Sequence, residues 1–197
     1  MVMYTEDYIM RLISQAVAVL TYVVGLSKAG QHDEAITAID EGLEELLGLR
    51  ADLVRQLDDR EILHMLVVGG TMDYGRAMIL AELFSISAES NKAIGHPEQS
   101  TPEYQRALML YLEVALNESS EKNADLAQKV VLLHHELDGI TLSVENELSL
   151  LDFYEQLLTK DDEFITSAGC NRLDAQNQVD LLTKGLHSYL DQRVMDS

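Results

Sequence analysis

Apolar residues recur along the chain at three- and four-residue steps, the period of a helix with one buried face. Tyr8, Leu12, Ala16, Val19 and Val23 share such a face, widened by Ile9, Ile13, Leu20 and Val24. Thr5 reads as its N-cap, with Glu6 and Asp7 complementing the helix dipole, and Gly30 ends it. A second helix opens near Asp33 and buries Ala35, Ile36, Ile39, Leu43, Leu46 and Leu47, with Glu34, Asp40, Glu41, Glu44 and Glu45 opposite. The connector between the two is short, so they are predicted to be antiparallel neighbours. Residues 48–57 fit either a loop or a short helical turn. A short helix over 59–67 stops at Gly69-Gly70, and a long one runs from Asp73 to about Ile94 through Ala77, Ala81, Phe84 and Ala88.

Residues 95–102 hold both prolines and read as the clearest loop, with Thr101 capping a helix whose first position is Pro102. That helix buries Tyr104, Ala107, Leu108, Tyr111 and Val114 and ends near Asn117. Polar residues 118–123 link it to the last part. There, Leu126, Val130, Leu133 and Leu137 form one stripe, and Val144, Leu148, Leu151 and Leu158 form another, joined by Phe153 and Tyr154. Phe164 and Ile165 are the anchors in a less defined stretch over 160–174. Val179, Leu182, Leu186 and Leu190 form a terminal helix. No segment alternates strictly between apolar and polar, so the fold class is all-α.

Two segments carry a finer pattern. Gly30, Ala35, Ile39 and Gly42 place a turn glycine, a small residue, a large residue and a second small residue at spacings that resemble the second helix of a tetratricopeptide (TPR) repeat. Tyr104, Ala107 and Tyr111 match the same pattern, with Val114 where a small residue is usual. Small residues set the distance between paired helices and large ones fill the groove. The two alanines lie about two repeat lengths apart for a repeat of about 34 residues, but the stretch from Gly69 to Gly75 interrupts the register. The resemblance implies antiparallel hairpins stacked in a right-handed superhelix over residues 1–118. The C-terminal helices of 119–197 would pack on that stack or extend it. The opening from Asp7 to Ile13, with the Glu34-Ala35-Ile36 hairpin, is also similar to a small uncharacterised family of cytoplasmic proteins from Gram-positive bacteria, a domain of unknown function. Its motifs are packing motifs and bring no catalytic residues.

Charge sharpens the choice of partner. The 197 residues hold 14 Lys+Arg against 34 Asp+Glu, a formal charge of -20. That balance repels phosphate backbones and anionic membranes, and no basic stripe offsets it. A basic or apolar protein or peptide segment is the expected partner, with a basic one steered by charge. The single cysteine, Cys170, cannot pair within the chain, which suits a reducing compartment. Residues 9–26 are strongly apolar, yet acids precede them and Arg11, Ser14 and Gln15 interrupt them, so a buried helix in a cytoplasmic protein is expected rather than a leader or membrane span.

Candidate chemistry is sparse. Glu61 and His64 have the Glu-x-x-His spacing of di-iron helices, without the second copy such sites need. His134 and His135 precede Glu136 and Asp138, and His134 and Asp138 could share a ligand, but neither zinc-protease order is present. Cys170 sits in a loop-like stretch with no basic group to activate it. Asp161-Asp162 reads as a helix start. Met65, Met72, Met78 and Met109 could line an adaptable groove, with core packing the simpler role. The sequence therefore points to a non-enzymatic helical-repeat-like protein that binds a protein or peptide, with no cofactor or metal. The alternatives are a small peptide or metabolite sensor without a DNA-binding domain, and a metal-dependent enzyme using Glu61/His64 or His134/His135.

Overall fold

The structure is a computed structural model that describes the backbone of residues 3–117 and 123–195. It is helical throughout apart from one two-residue hairpin, in ten helices and two strands among the described residues. The chain divides into two compact units, Met1–Leu110 and Tyr111–Ser197, with the boundary inside a helix.

In the first unit, α1 (Met3–Lys28) and α2 (His32–Leu47) form the expected hairpin. The turn between them needs Gly30 at φ 75°, a left-handed conformation that side chains resist. α1 begins at Met3, so Thr5 lies inside the helix and is not its cap. The side chains of Tyr8, Ile9, Leu12 and Ile13 are outside the described residues, whereas Ala16, Val23 and Leu26 are buried. α2 buries Ala35, Ala38, Ile39, Gly42, Leu43, Leu46 and Leu47, while Ile36 is only half-buried. The ambiguous stretch after it contains α3 (Ala51–Val54). α4 (Asp59–Met65) starts on a reciprocal cap, in which Asp58 accepts from the Glu61 N–H and Glu61 accepts from the Asp58 N–H.

The Gly69-Gly70 pair does more than stop α4. It turns β1 (Val67–Val68) back onto β2 (Thr71–Met72), pairing Val67 with Met72 and Val68 with Thr71. Both glycines have positive φ, as two-residue hairpin turns demand. Two residues are too few for alternation to register in the sequence, which is why the all-helical reading missed it. α5 (Tyr74–Ala93) follows with Asp73 as cap and packs against both α1 and α2.

α6 (Pro97–Asn117) corrects the loop expected over 95–102. It starts at Pro97, and Pro102 lies inside it rather than at its first position. An interior proline loses one ladder hydrogen bond. Here Ser100 and Glu103, 3% and 2% exposed, extend the stripe of Tyr104 and Ala107 backwards by a turn, and that burial carries the helix through the proline.

In the second unit, α7 (Ala124–Glu136) buries Leu126, Val130 and Leu133, with Leu137 as a buried C-cap. Residues 118–122 of the expected linker lie outside the described residues. α8 (Val144–Leu158) is rotated from the expected face: Asn146, Leu150, Phe153, Tyr154 and Leu157 are buried, and Leu148 is 48% exposed. α9 (Asp162–Ser167), capped by Asp161, inserts Ile165 and packs on α7. α10 (Arg172–Met195) packs on α8 with Leu186 buried and Val179 and Leu182 half-buried, while the Leu190 side chain is outside the described residues.

Candidate functional site

A core is informative where it buries polar groups, and the first unit buries several in one place. Ser87, Ser90 and Asn91 on α5 and Ser100 and Glu103 on α6 are all nearly inaccessible. Glu103 reaches the cap of α3: its Oε1 accepts from Arg55 Nε at 2.7 Å, and its Oε2 accepts from Asn91 Nδ2 at 3.2 Å. Arg55 also donates to Asp40 Oδ1 at 2.6 Å. Asn91 in turn lies 3.5 Å from Ser87 Oγ, and His32 Nδ1 lies 3.4 Å from Ser90 Oγ.

Burial works against the Arg55 cation, but its hydrogen bonds to the Asp40 and Glu103 carboxylates outweigh it and hold its pKa above the ordinary value. Arg106 donates to the Arg55 carbonyl at 2.6 Å and lies over the Phe84 ring, with its pKa lowered by burial. Two carboxylates and two guanidiniums thus meet in a mutually satisfied network that ties α2, α3, α5 and α6 together. No residue in it stood out as a functional candidate in the sequence. The available signal was Glu103, a charged residue four positions before Ala107 and eight before Tyr111 on an otherwise apolar stripe.

The residues singled out for packing fall where packing requires them. Ala35, Ile39 and Ala107 are fully buried, and Tyr104 and Tyr111 nearly so. At Gly42 a Cβ would stand 2.9 Å from Val19 Cγ1 on α1 and 3.3 Å from Leu83 Cδ1 on α5, so its missing side chain lets three helices converge. Met109 is buried, and Met65, Met72 and Met78 are half-buried on three separate elements rather than lining one exposed groove.

The candidate ligands are occupied otherwise. The Glu61 carboxylate is held by the Asp58 backbone, and His64 is exposed in the last turn of α4. His134 Nδ1 shares a hydrogen bond of 2.9 Å with the hydroxyl of Tyr154, which is fully buried, while His135 is exposed. Burial lowers the His134 pKa and raises that of Tyr154. Cys170, between α9 and α10, is half-buried with its thiol pushed up by burial, and it donates to the Asn171 carbonyl at 3.3 Å. No group of three or more His, Cys, Asp or Glu able to hold a metal ion occurs among the described residues. Beside Cys170, a shallow cavity of ≈ 370 Å³ is lined by Asp162, Ile165, Thr166, Asn171, Arg172 and Leu173. Arg172 is already bonded to Asp162 and to the carbonyls of Leu158 and Lys160.

The surface offers one contrast. From Leu12 to Ser27 the sequence of α1 has no charged residue. Ser14, Val17, Ala18, Thr21, Tyr22 and Gly25 are exposed there, with Val17 at 47% and Tyr22 at 61%. The exposed side of α2 is instead acidic, with Asp33, Glu34, Glu41, Glu44 and Glu45. The uncharged side of α1 is the candidate site, because it can bury apolar area without desolvating an ion.

No described helix is long and apolar enough to cross a membrane. No curated protein and no solved structure matches the chain. One family model does, over residues 3–184, and that span takes in both units. The chain belongs to DUF6483, a family of unknown function.

Proposed function

We propose that the chain is a non-enzymatic helical module, TPR-like in its first hairpins, that binds a protein partner through the uncharged face of α1. The observation that carries this reading is that face itself: within a run of 16 uncharged residues, Ser14, Val17, Ala18, Thr21, Tyr22 and Gly25 are exposed, in a chain of net charge -20. Isolated exposed apolar residues are ordinary, but a continuous uncharged helix face on so acidic a protein is not explained by solubility. The TPR-like part is supported by the mutual packing of α1, α2 and α5 around Gly42, the arrangement of a hairpin followed by the first helix of the next repeat. Of the two expected partner chemistries, basic and apolar, the α1 face favours the apolar one.

A photo-crosslinking residue placed at Tyr22 tests this in cells, with the same residue at Glu41 on the acidic side of α2 as control. Discrete protein adducts are expected from position 22 and not from position 41. Equal adducts at both positions, or none at position 22, would remove the reading.

A further inference from the structure

We infer that the bond between His134 and Tyr154 is a proton-operated latch: a proton taken up by His134 releases α7 from α8 inside the second unit. The latch stands on geometry. His134 Nδ1 and the Tyr154 hydroxyl lie 2.9 Å apart, and the two ring centroids are separated by 5.5 Å. Tyr154 is fully buried, with Phe153 packed edge-on against it at 5.3 Å. His134, in the last turn of α7, is only half-buried, so protons from solvent reach its ring.

The direction of the bond depends on the charge of the imidazole. Burial keeps the phenol protonated, and a buried O–H needs an acceptor. Neutral His134 supplies one at an unprotonated Nδ1, with its own proton on Nε2. In the imidazolium both ring nitrogens are donors. Two donors then face each other across the same bond, and the phenol must turn its proton away. Cys170 also acts on the phenol, but its thiol is bonded to the Asn171 carbonyl and sulfur accepts only weakly. Protonation therefore strands a buried hydroxyl, and parting the helices relieves it by hydrating both groups.

Neighbouring charge does not offset this. Asp138 favours the imidazolium, His135 opposes it, and burial, the largest influence, opposes it too. From α8, Tyr154 itself faces the ring, whereas Asp152 and Glu155 are exposed and the half-buried Glu147 lies two turns before Tyr154. α9, which packs on α7, buries Ile165 and leaves Asp162 and Glu163 exposed, with Asp162 bonded to Arg172. On α7 itself, Lys129 is turned to the Tyr111 ring.

Hydrogen exchange read by mass spectrometry on the full chain tests this, at pH 7 and pH 5.5 with rates corrected for intrinsic exchange. Peptides of α7 and α8 should lose up to about tenfold of their protection at pH 5.5, the ratio set by one proton binding a pH unit below an opened-state pKa of about 6.5. Peptides of α2 and α5 should keep theirs. His134→Gln retains an acceptor for the phenol without a titrating group and should abolish the pH effect. Tyr154→Phe retains the imidazole, removes the hydroxyl that protonation strands, and should leave a clearly smaller effect. No loss in the wild type, an equal loss in both units, or a loss that persists in His134→Gln overturns the latch. An undiminished loss in Tyr154→Phe overturns it as well, because burial of the imidazole alone then carries the pH response.

Discussion

Glu103 is a charged side chain buried inside the first unit. Its side chain is 3% exposed, and its carboxylate is bonded to Arg55, itself 27% exposed. Removing one partner of a buried pair leaves the other charged and unpaired. Arg55→Met is therefore expected to destabilise by about 3 kcal/mol, read as a lower urea midpoint, while Arg55→Met/Glu103→Leu recovers part of the loss. The sequence marks Glu103 as odd by its place on an apolar stripe. It does not mark Arg55, 48 positions away, because that pairing exists only once the end of α3 meets α6. The same holds for the arginines that satisfy helix C-terminal carbonyls: Arg76 at Leu46, Arg106 at Arg55 and Arg172 at Leu158. Periodicity says nothing of such long-range caps.

Two helical glycines separate packing from propensity. Gly42 meets Val19 and Leu83, whereas Gly185 on α10 has nothing within 4 Å. Gly42→Val should destabilise by about 1–3 kcal/mol through overpacking, as should Ala35→Phe and Ala107→Phe at fully buried positions. Gly185→Ala should stabilise by about 0.5–1 kcal/mol through helix propensity alone. Thermal denaturation of the four variants measures both signs. Much of the element plan was readable because caps and turn glycines are local: Asp161 opens α9 and Gly30 closes the first hairpin. The face of α8 was not, because eight apolar residues from Val144 to Leu158 exceed one stripe, and burial of Asn146 picks among them. Pro102 misled for the same reason. Tertiary burial of Ser100 and Glu103 overrides a local helix breaker.

For the whole chain, pH and salt act through different groups. The folded state depresses the His134 pKa below its unfolded value, so the unfolded chain binds more protons as pH falls. The stability this residue contributes is complete above the unfolded pKa of about 6.5 and is lost as pH drops through that value toward the lower folded one. His134→Gln should flatten the fall in melting temperature between pH 7 and pH 5. The net charge of -20 adds self-repulsion within the chain, so added salt should raise the melting temperature. The charge was plain in the sequence. The candidate face was legible only as a run of uncharged positions, because which side of α1 stays exposed depends on α2 and α5 packing against the other.

The buried hydroxyl of Tyr154 also has an optical consequence. The chain has eight tyrosines and no tryptophan, so phenol and phenolate dominate its near-ultraviolet absorbance. A folded-state pKa raised by burial means that Tyr154 keeps its proton to higher pH in the folded chain than in the unfolded one. Above the unfolded value of about 10, the unfolded chain binds fewer protons and stability falls with rising pH. An alkaline titration followed at the phenolate band should accordingly show a late rise that coincides with loss of helical signal. Tyr154→Phe should delete absorbance from that late rise.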